Sequence, residues 1–143
     1  MVIKKLSQVN AATRKDINSL LVQMRDDASE QKAQMSELRE LTTNKNIAVI
    51  VAMDGKRIIG MATLYIMPKL GKRVGRIEDV IVDTAYRGQG LGRQIMQKVI
   101  STARIKKIQT LHINSRPVHV IGNKLYQKLG FKIKDTNPYR LSL

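Results

Sequence analysis

The stretch Arg87-Gly88-Gln89-Gly90-Leu91-Gly92-Arg93 constrains this chain more than any other. Ahead of it runs the apolar Val80-Ile81-Val82. Behind it, apolar residues recur at Leu91, Ile95, Met96, Val99, Ile100 and Ala103, the spacing of one helical face. A strand, a glycine-rich turn and a helix start, in that order, build an anion site. The first amides of a helix have no partner within it, and the helix dipole favours negative charge there. Glycine lets a ligand approach the backbone with no Cβ in the way. The implied ligand carries a phosphate or pyrophosphate.

Two nucleotide motifs do not fit. A P-loop needs Lys-Ser or Lys-Thr after its last glycine, where Arg93-Gln94 stands. A dinucleotide fingerprint needs a third glycine at the position of Arg93, and it opens a βαβ unit. Taken alone, the stretch is also compatible with a plain strand-to-helix connection.

Its neighbours narrow the choice. Arg87-Gly88-Gln89-Gly90-Leu91-Gly92 resembles the acetyl-CoA pyrophosphate motif of the GNAT superfamily of N-acetyltransferases, Arg/Gln-x-x-Gly-x-Gly/Ala. Ile77-Glu78-Asp79-Val80-Ile81-Val82-Asp83 is similar to the strand before that motif, and also to the amino-sugar-phosphate branch of the superfamily. Asn123-Lys124-Leu125-Tyr126-Gln127-Lys128-Leu129-Gly130-Phe131 resembles the second signature, a helix with Tyr that ends in Leu-Gly-Phe. The likeness covers residues 45 to 143 well and the first 45 in outline.

The resemblance implies an α/β fold with a mixed, mostly antiparallel central sheet, and acetyl-CoA as donor. It assigns the pantetheine arm to the backbone of Val80, Ile81 and Val82, and the pyrophosphate to Gly88, Gln89, Gly90, Leu91, Gly92 and Arg93, with charge from Arg87 and Arg93. It makes Tyr126 the acid that protonates the leaving sulfur. A phenol with a pKa of about 10 does this only when positioned beside the thiolate. The structural alternative is a core tyrosine. Asn123 is implied to reach the cofactor, against the alternative of a surface helix position. In Ser115-Arg116-Pro117-Val118-His119, His119 stands where the family has Arg. Gly122 replaces the usual alanine.

Acetyl transfer to an amine also needs a base. Glu78 shares strand parity with Val80 and Val82, and Asp79 shares it with Ile81. Glu78 is therefore the first choice and Asp79 the second, since the bulge common on this strand in the family breaks that parity. A pair of Glu78 with Arg76 is the structural alternative. His112 is a fallback base.

Composition bounds the rest. The 143 residues suit one N-acetyltransferase domain, and a resemblance-based expectation adds a homodimer. With no cysteine there is no acyl-enzyme through sulfur, and with only two histidines no metal site is expected. A cysteine-free chain fits a reducing cytosol, and no apolar run reaches the ~18 residues of a membrane span. The net charge is +15, and from Thr84 onward the only acid is Asp135. Such a field draws polyanions, coenzyme A or RNA. The few aromatics are not clustered as a base-stacking platform would need. The rival functions are an acetyl-CoA-binding module without turnover and a basic RNA-binding domain. For the acceptor, Asp26, Asp27 and Glu30 suit a cationic amine, such as a lysine side chain or peptide N-terminus, whereas an anionic sugar would use bases such as Arg116.

The periodicities predict the order β-α-α-β-β-β-α-β-α-β-β. Thr13 is read as the first helix cap, Pro68 to Lys72 as a turn, and Pro117 as the start of a helix from Val118 to Leu129. Phe131 to Lys134 and Tyr139 to Leu143 are read as a closing hairpin. The segments 25–31 and 134–139 are expected to set the acceptor.

Overall fold

A computed structural model describes residues 1–24 and 32–143. Five strands form one sheet in the order β1-β2-β3-β4-β5. These are β1 (Val2–Lys5), β2 (Ile47–Asp54), β3 (Arg57–Lys69), β4 (Lys72–Val82) and β5 (Thr110–Ile113). The helices are α1 (Ala11–Met24), α2 (Met35–Thr43), α3 (Leu91–Ile105) and α4 (Val120–Lys128). Strands β1 to β4 pair antiparallel, and β4 pairs parallel with β5. The crossover through α3 accounts for that one parallel pair.

Two apolar layers cover the sheet, one on each face. Ala48, Ile50, Ala62, Leu64 and Ile77 meet Ile95, Met96 and Val99 of α3 on one side. Val49, Val51, Ile58, Met61 and Ile81 meet Ile17 and Leu20 of α1 and Leu38 of α2 on the other. Each buried Val, Leu, Ile or Met among them contributes about 2 kcal/mol by leaving water. This explains why β2 and β3 are apolar in continuous runs rather than in alternation. The helix α3 lies close because Gly60 leaves room: a Cβ there would come within 2.9 Å of Ile95 Cδ1 and 3.1 Å of the Ile81 carbonyl.

Several expectations are corrected. The helix α1 starts earlier than Thr13: the side chain of Asn10 accepts from the Thr13 amide at 2.9 Å, the bond that an N-cap makes. Asp16 instead accepts from the Ile58 amide at 2.9 Å, tying α1 to β3. Pro68 lies within β3, where β2 no longer runs alongside, so its missing N–H costs no ladder bond. The turn itself is Leu70-Gly71. The helix α4 begins at Val120, with His119 before it. Gly130, at φ 98°, stops α4 as expected: Phe131 N–H donates to Tyr126 O and Gly130 N–H to Gln127 O, both at 3.0 Å. The closing hairpin is absent, because residues 132–143 carry the strand pattern without strand pairing. Period two makes a segment able to pair, but it supplies no neighbour.

Candidate active site

The strand β4 pairs with β5 only from Val74 to Ile77. Beyond Ile77 it runs on to Val82 beside β3 alone, so its other edge is left open. The open edge includes Val80, Ile81 and Val82. A bulge lies in the same stretch: Thr63 stands opposite Glu78, and Met61 opposite Ile81. Asp79 takes up the extra residue with φ 55°, a conformation rare outside glycine.

The bulge changes which groups share a face. Ile77, Val80 and Val82 all pack on the α3 side, whereas Ile81 packs on the α1 side. Glu78, next to Ile77, therefore looks toward α1, away from Val80 and Val82. The parity that favoured Glu78 over Asp79 does not survive. Asp79 and Glu78 both lie near Tyr65, whose phenol is pushed up first by burial, then by the Asp79 charge and then by the Glu78 charge. Glu78 is half exposed and accepts from Arg76 Nε at 2.7 Å, so the structural pairing exists. The ion pair leaves Glu78 accessible, and both carboxylates remain candidates for the base.

After Val82 the chain is fixed before it reaches the glycines. Asp83 is buried, accepts from Arg57 at 2.9 Å and accepts from the Ala85 amide at 3.0 Å. Arg87 donates from Nε to the Val82 carbonyl at 3.0 Å, which folds the turn back on the strand. Gly88 and Gly90 have φ of 77° and 78°, the left-handed region where a side chain would be strained. Gly90 stands at the N-terminus of α3, and no side chain caps it. The first amides of α3 thus face outward, with no acidic residue in its first turn. Gly92 meets Leu125 and Val82, so α3, α4 and β4 converge there. Beside this point is a groove of about 290 Å³, lined by Arg93, Lys124 and Lys128 with Ile121, Leu125 and Leu129. An open strand edge, uncapped amides and a basic groove fit an extended ligand with a pyrophosphate.

Tyr126 is partly buried on the α3 side and meets Phe131 edge to face, with ring centres 6.1 Å apart. Burial raises its pKa, so the phenol stays protonated through the neutral range. Asn123 donates its side-chain amide to the carbonyls of Arg116 and His119, at 2.9 and 2.8 Å. That bond holds the loop before α4. The fallback base His112 sits on β5 opposite Arg76, with Lys134 Nζ 3.1 Å from its Nδ1. Burial lowers its pKa, and the charges of Lys134, Lys69, Arg76 and Lys72 lower it further. Asp26, Asp27 and Glu30, with the rest of 25–31, lie outside the described residues. Among the described residues, no three metal-binding side chains cluster, and no helix is long and apolar enough to cross a membrane.

Sequence reasoning missed Thr63 and Tyr65. Both share the α1-side face of β3 with Met61, and Thr63 is buried with no hydrogen-bond partner for its hydroxyl. A polar residue at a core position of an apolar strand was the available signal.

The pattern of the Acetyltransferase (GNAT) family matches residues 15–131, spanning both faces of the site. The chain belongs to the GNAT family. Among its relatives is the glucosamine 6-phosphate N-acetyltransferase of Trypanosoma brucei brucei, 39% identical over 79 residues, which are 53% of this chain and 52% of that protein. Glucosamine 6-phosphate N-acetyltransferase 1 of Oryza sativa subsp. japonica is 30% identical over 107 residues, 73% of this chain and 63% of that one. The chain thus spans between half and two thirds of the length of these two relatives. A Trypanosoma brucei acetyltransferase structure superposes with a TM-score of 0.76 at 27% identity, covering 99% of both chains. An aminoglycoside acetyltransferase from an uncultured soil metagenomic sample, in complex with sisomicin, reaches 0.87 at 17% identity, over 99% of this chain and 95% of that one. At that identity the likeness speaks for the GNAT fold alone.

Proposed function

We propose that the protein is an acetyl-CoA-dependent N-acetyltransferase that passes the acetyl group directly to an amine with both substrates bound. Bound acetyl-CoA supplies an activated acetyl group as a thioester. The open edge of β4 at Val80 to Val82 receives the pantetheine amides, as an added strand would be received. The amides of α3 and the turn Gly88 to Gly92 hold the pyrophosphate, with Arg93 at the groove. Glu78 or Asp79 takes the proton of the acceptor ammonium, directly or through water, and frees its lone pair for the carbonyl carbon. Tyr126 gives its proton to the departing sulfur. Tyr126 packs on the α3 side of the sheet, and Glu78 lies on the α1 side.

The acceptor side carries both signs of charge. Glu78 and Asp79 suit an ammonium, while Arg76 lies on the same face as Glu78 and Lys134 reaches the neighbouring His112. We read the acceptor as a small amine bearing a negative group, the class to which the named substrate of the trypanosomal and rice relatives belongs. The mixed charge of this face is the observation that carries the reading. A purely cationic amine, drawn by Asp26 and Asp27, is the second reading.

An acetyl-CoA assay read as free thiol, with glucosamine 6-phosphate, unphosphorylated glucosamine, lysine peptides and polyamines, tests both. The expected result is turnover that favours the phosphorylated amino sugar. Tyr126→Phe is expected to lower kcat by about 10²-fold with acetyl-CoA binding retained. Full activity of that variant removes Tyr126 as acid. Acetyl-CoA binding without thiol release from any amine makes the protein a binding module.

A further inference from the structure

Among the described residues, Thr63 Oγ1 is the one buried side-chain oxygen or nitrogen without a hydrogen-bond partner. Its surroundings offer one near polar group. On the β2 side it stands opposite Val49, and Met61 and Tyr65 flank it on the same face of β3. The α1 side chains of that layer, Ile17 and Leu20, are apolar as well. On the β4 side it stands opposite Glu78. Directly opposed residues of an antiparallel pair share a face, with Cβ atoms about 5 Å apart. A rotamer change of the glutamate is enough to bring a carboxylate oxygen to a hydroxyl at that separation.

In the resting protein Glu78 is turned elsewhere. It accepts from Arg76 Nε at 2.7 Å, with the side chains of Arg76 and Glu78 40% and 44% exposed. Ion pairs as exposed as this hold weakly, so the carboxylate is free to exchange partners. The guanidinium also takes up the lone pairs and the charge that a base must offer to an ammonium. A hydroxyl is a different kind of partner: it orients one carboxylate oxygen and adds no charge. Glu78 is the first residue of β4 beyond the pairing with β5, at the start of the open edge.

We propose that Thr63 is a positioning residue for the base: when the acceptor binds, Glu78 leaves Arg76, accepts a hydrogen bond from the Thr63 hydroxyl and is thereby aimed at the acceptor nitrogen. This role presupposes the proposed acetyl transfer, with Glu78 rather than Asp79 as base. The acceptor drives the exchange with its own charges. Its negative group competes for Arg76, and its ammonium competes for the carboxylate. One oxygen of Glu78 then accepts from Thr63 Oγ1–H, which keeps its proton throughout. The other oxygen takes one proton from the ammonium. The freed nitrogen lone pair forms the new C–N bond, the C–S bond breaks, and the sulfur takes the proton of Tyr126. The unpaired hydroxyl destabilises the resting fold, and its pairing with Glu78 favours the complex in which transfer occurs.

Two measurements on the full chain test this. The first needs no turnover. Thr63→Val is expected to raise the melting temperature by about 3 °C, because the hydroxyl it removes is unpaired. In an Arg76→Met chain, where Glu78 is already released, the same change is expected to lower the melting temperature, because it now removes a bond. A shift of the same sign in both chains overturns the contact. The second measurement is kinetic, with an amine that turns over. Thr63→Val is expected to lower kcat about tenfold while acceptor KM and acetyl-CoA affinity stay within about twofold, and Thr63→Ser is expected to keep kcat. An undiminished kcat in Thr63→Val, a loss that serine does not rescue, or an equal loss when Thr63→Val is added to Glu78→Gln overturns the positioning role. Absence of turnover with every amine overturns the acetyltransferase reading and the positioning role with it, whereas the sign in the Arg76→Met chain decides the Thr63–Glu78 contact in either case. The two failures are thereby told apart.

Discussion

Thr63 shows how much one hydroxyl can say. It is 1% exposed, stands opposite Glu78 and finds no partner for its Oγ1. A buried hydroxyl left unpaired costs about 1–3 kcal/mol, so Thr63→Val is expected to stabilise the fold by about 1 kcal/mol. The measurement is the denaturant midpoint at unchanged slope. A lower midpoint would mean that the hydroxyl is satisfied in solution, by water or by Glu78. His112 argues at the same scale about pH. Its folded pKa lies below the usual value, so the folded chain binds its proton less readily than the unfolded one. The contribution is present above the unfolded pKa of about 6.5 and is lost as pH falls through the folded value. Melting temperature is therefore expected to drop as pH falls below 6.5, and to drop less in His112→Gln. An equal drop in both proteins would assign the loss elsewhere.

At the scale of elements, what was legible in the sequence followed period and punctuation. Asp54-Gly55 is a turn dipeptide between two apolar runs, and it forms a hairpin, with Asp54 paired to Arg57. The apolar spacing from Leu91 to Ala103 marked α3, which runs from Leu91 to Ile105. The glycine turn between Val82 and Leu91 was legible because left-handed φ has few residues to choose from. What escaped depended on neighbours in space. The bulge at Asp79 is decided by pairing with β3, and alternation along one strand carries no sign of it. The C-terminal residues have the period of strands, but pairing needs an edge. Glycines separate the two kinds of information clearly. Gly60 looks like any strand glycine, yet a Cβ would strike Ile95 and the Ile81 carbonyl, both closer than real Cβ contacts allow or nearly so. Gly122 sits in α4, where a Cβ would only touch the Tyr126 ring at 3.7 Å. Gly122→Ala is thus expected to stabilise by up to about 1 kcal/mol, through helix propensity and a stiffer unfolded chain. Gly60→Ala is expected to destabilise by about 1–3 kcal/mol through overpacking against α3. Thermal melts of the two variants read this directly, and a shift of the same sign in both would refute the packing argument.

For the whole molecule, the charge is the property that no single site absorbs. Arg93, Lys124 and Lys128 line the groove at the start of α3. At its far end a second depression, of about 500 Å³, is lined by Lys45, Arg73, Lys106 and Lys107. The field therefore extends along the molecule rather than focusing on one ligand. Two consequences have opposite signs. Repulsion among like charges destabilises the compact state, so salt is expected to raise the melting temperature. Attraction of an anionic ligand weakens as the screening length falls from about 10 Å at 0.1 M salt toward about 3 Å at 1 M. Acetyl-CoA affinity is expected to fall by roughly tenfold between 0.05 and 0.5 M salt, mainly through slower association. An RNA-binding domain would behave differently: its affinity would fall by about 10³-fold or more over the same range, and acetyl-CoA would not compete. Weak salt dependence of acetyl-CoA binding with rising stability would mean that the amides of α3 hold the pyrophosphate at short range. The surrounding lysines would then serve the molecule's encounters rather than its site.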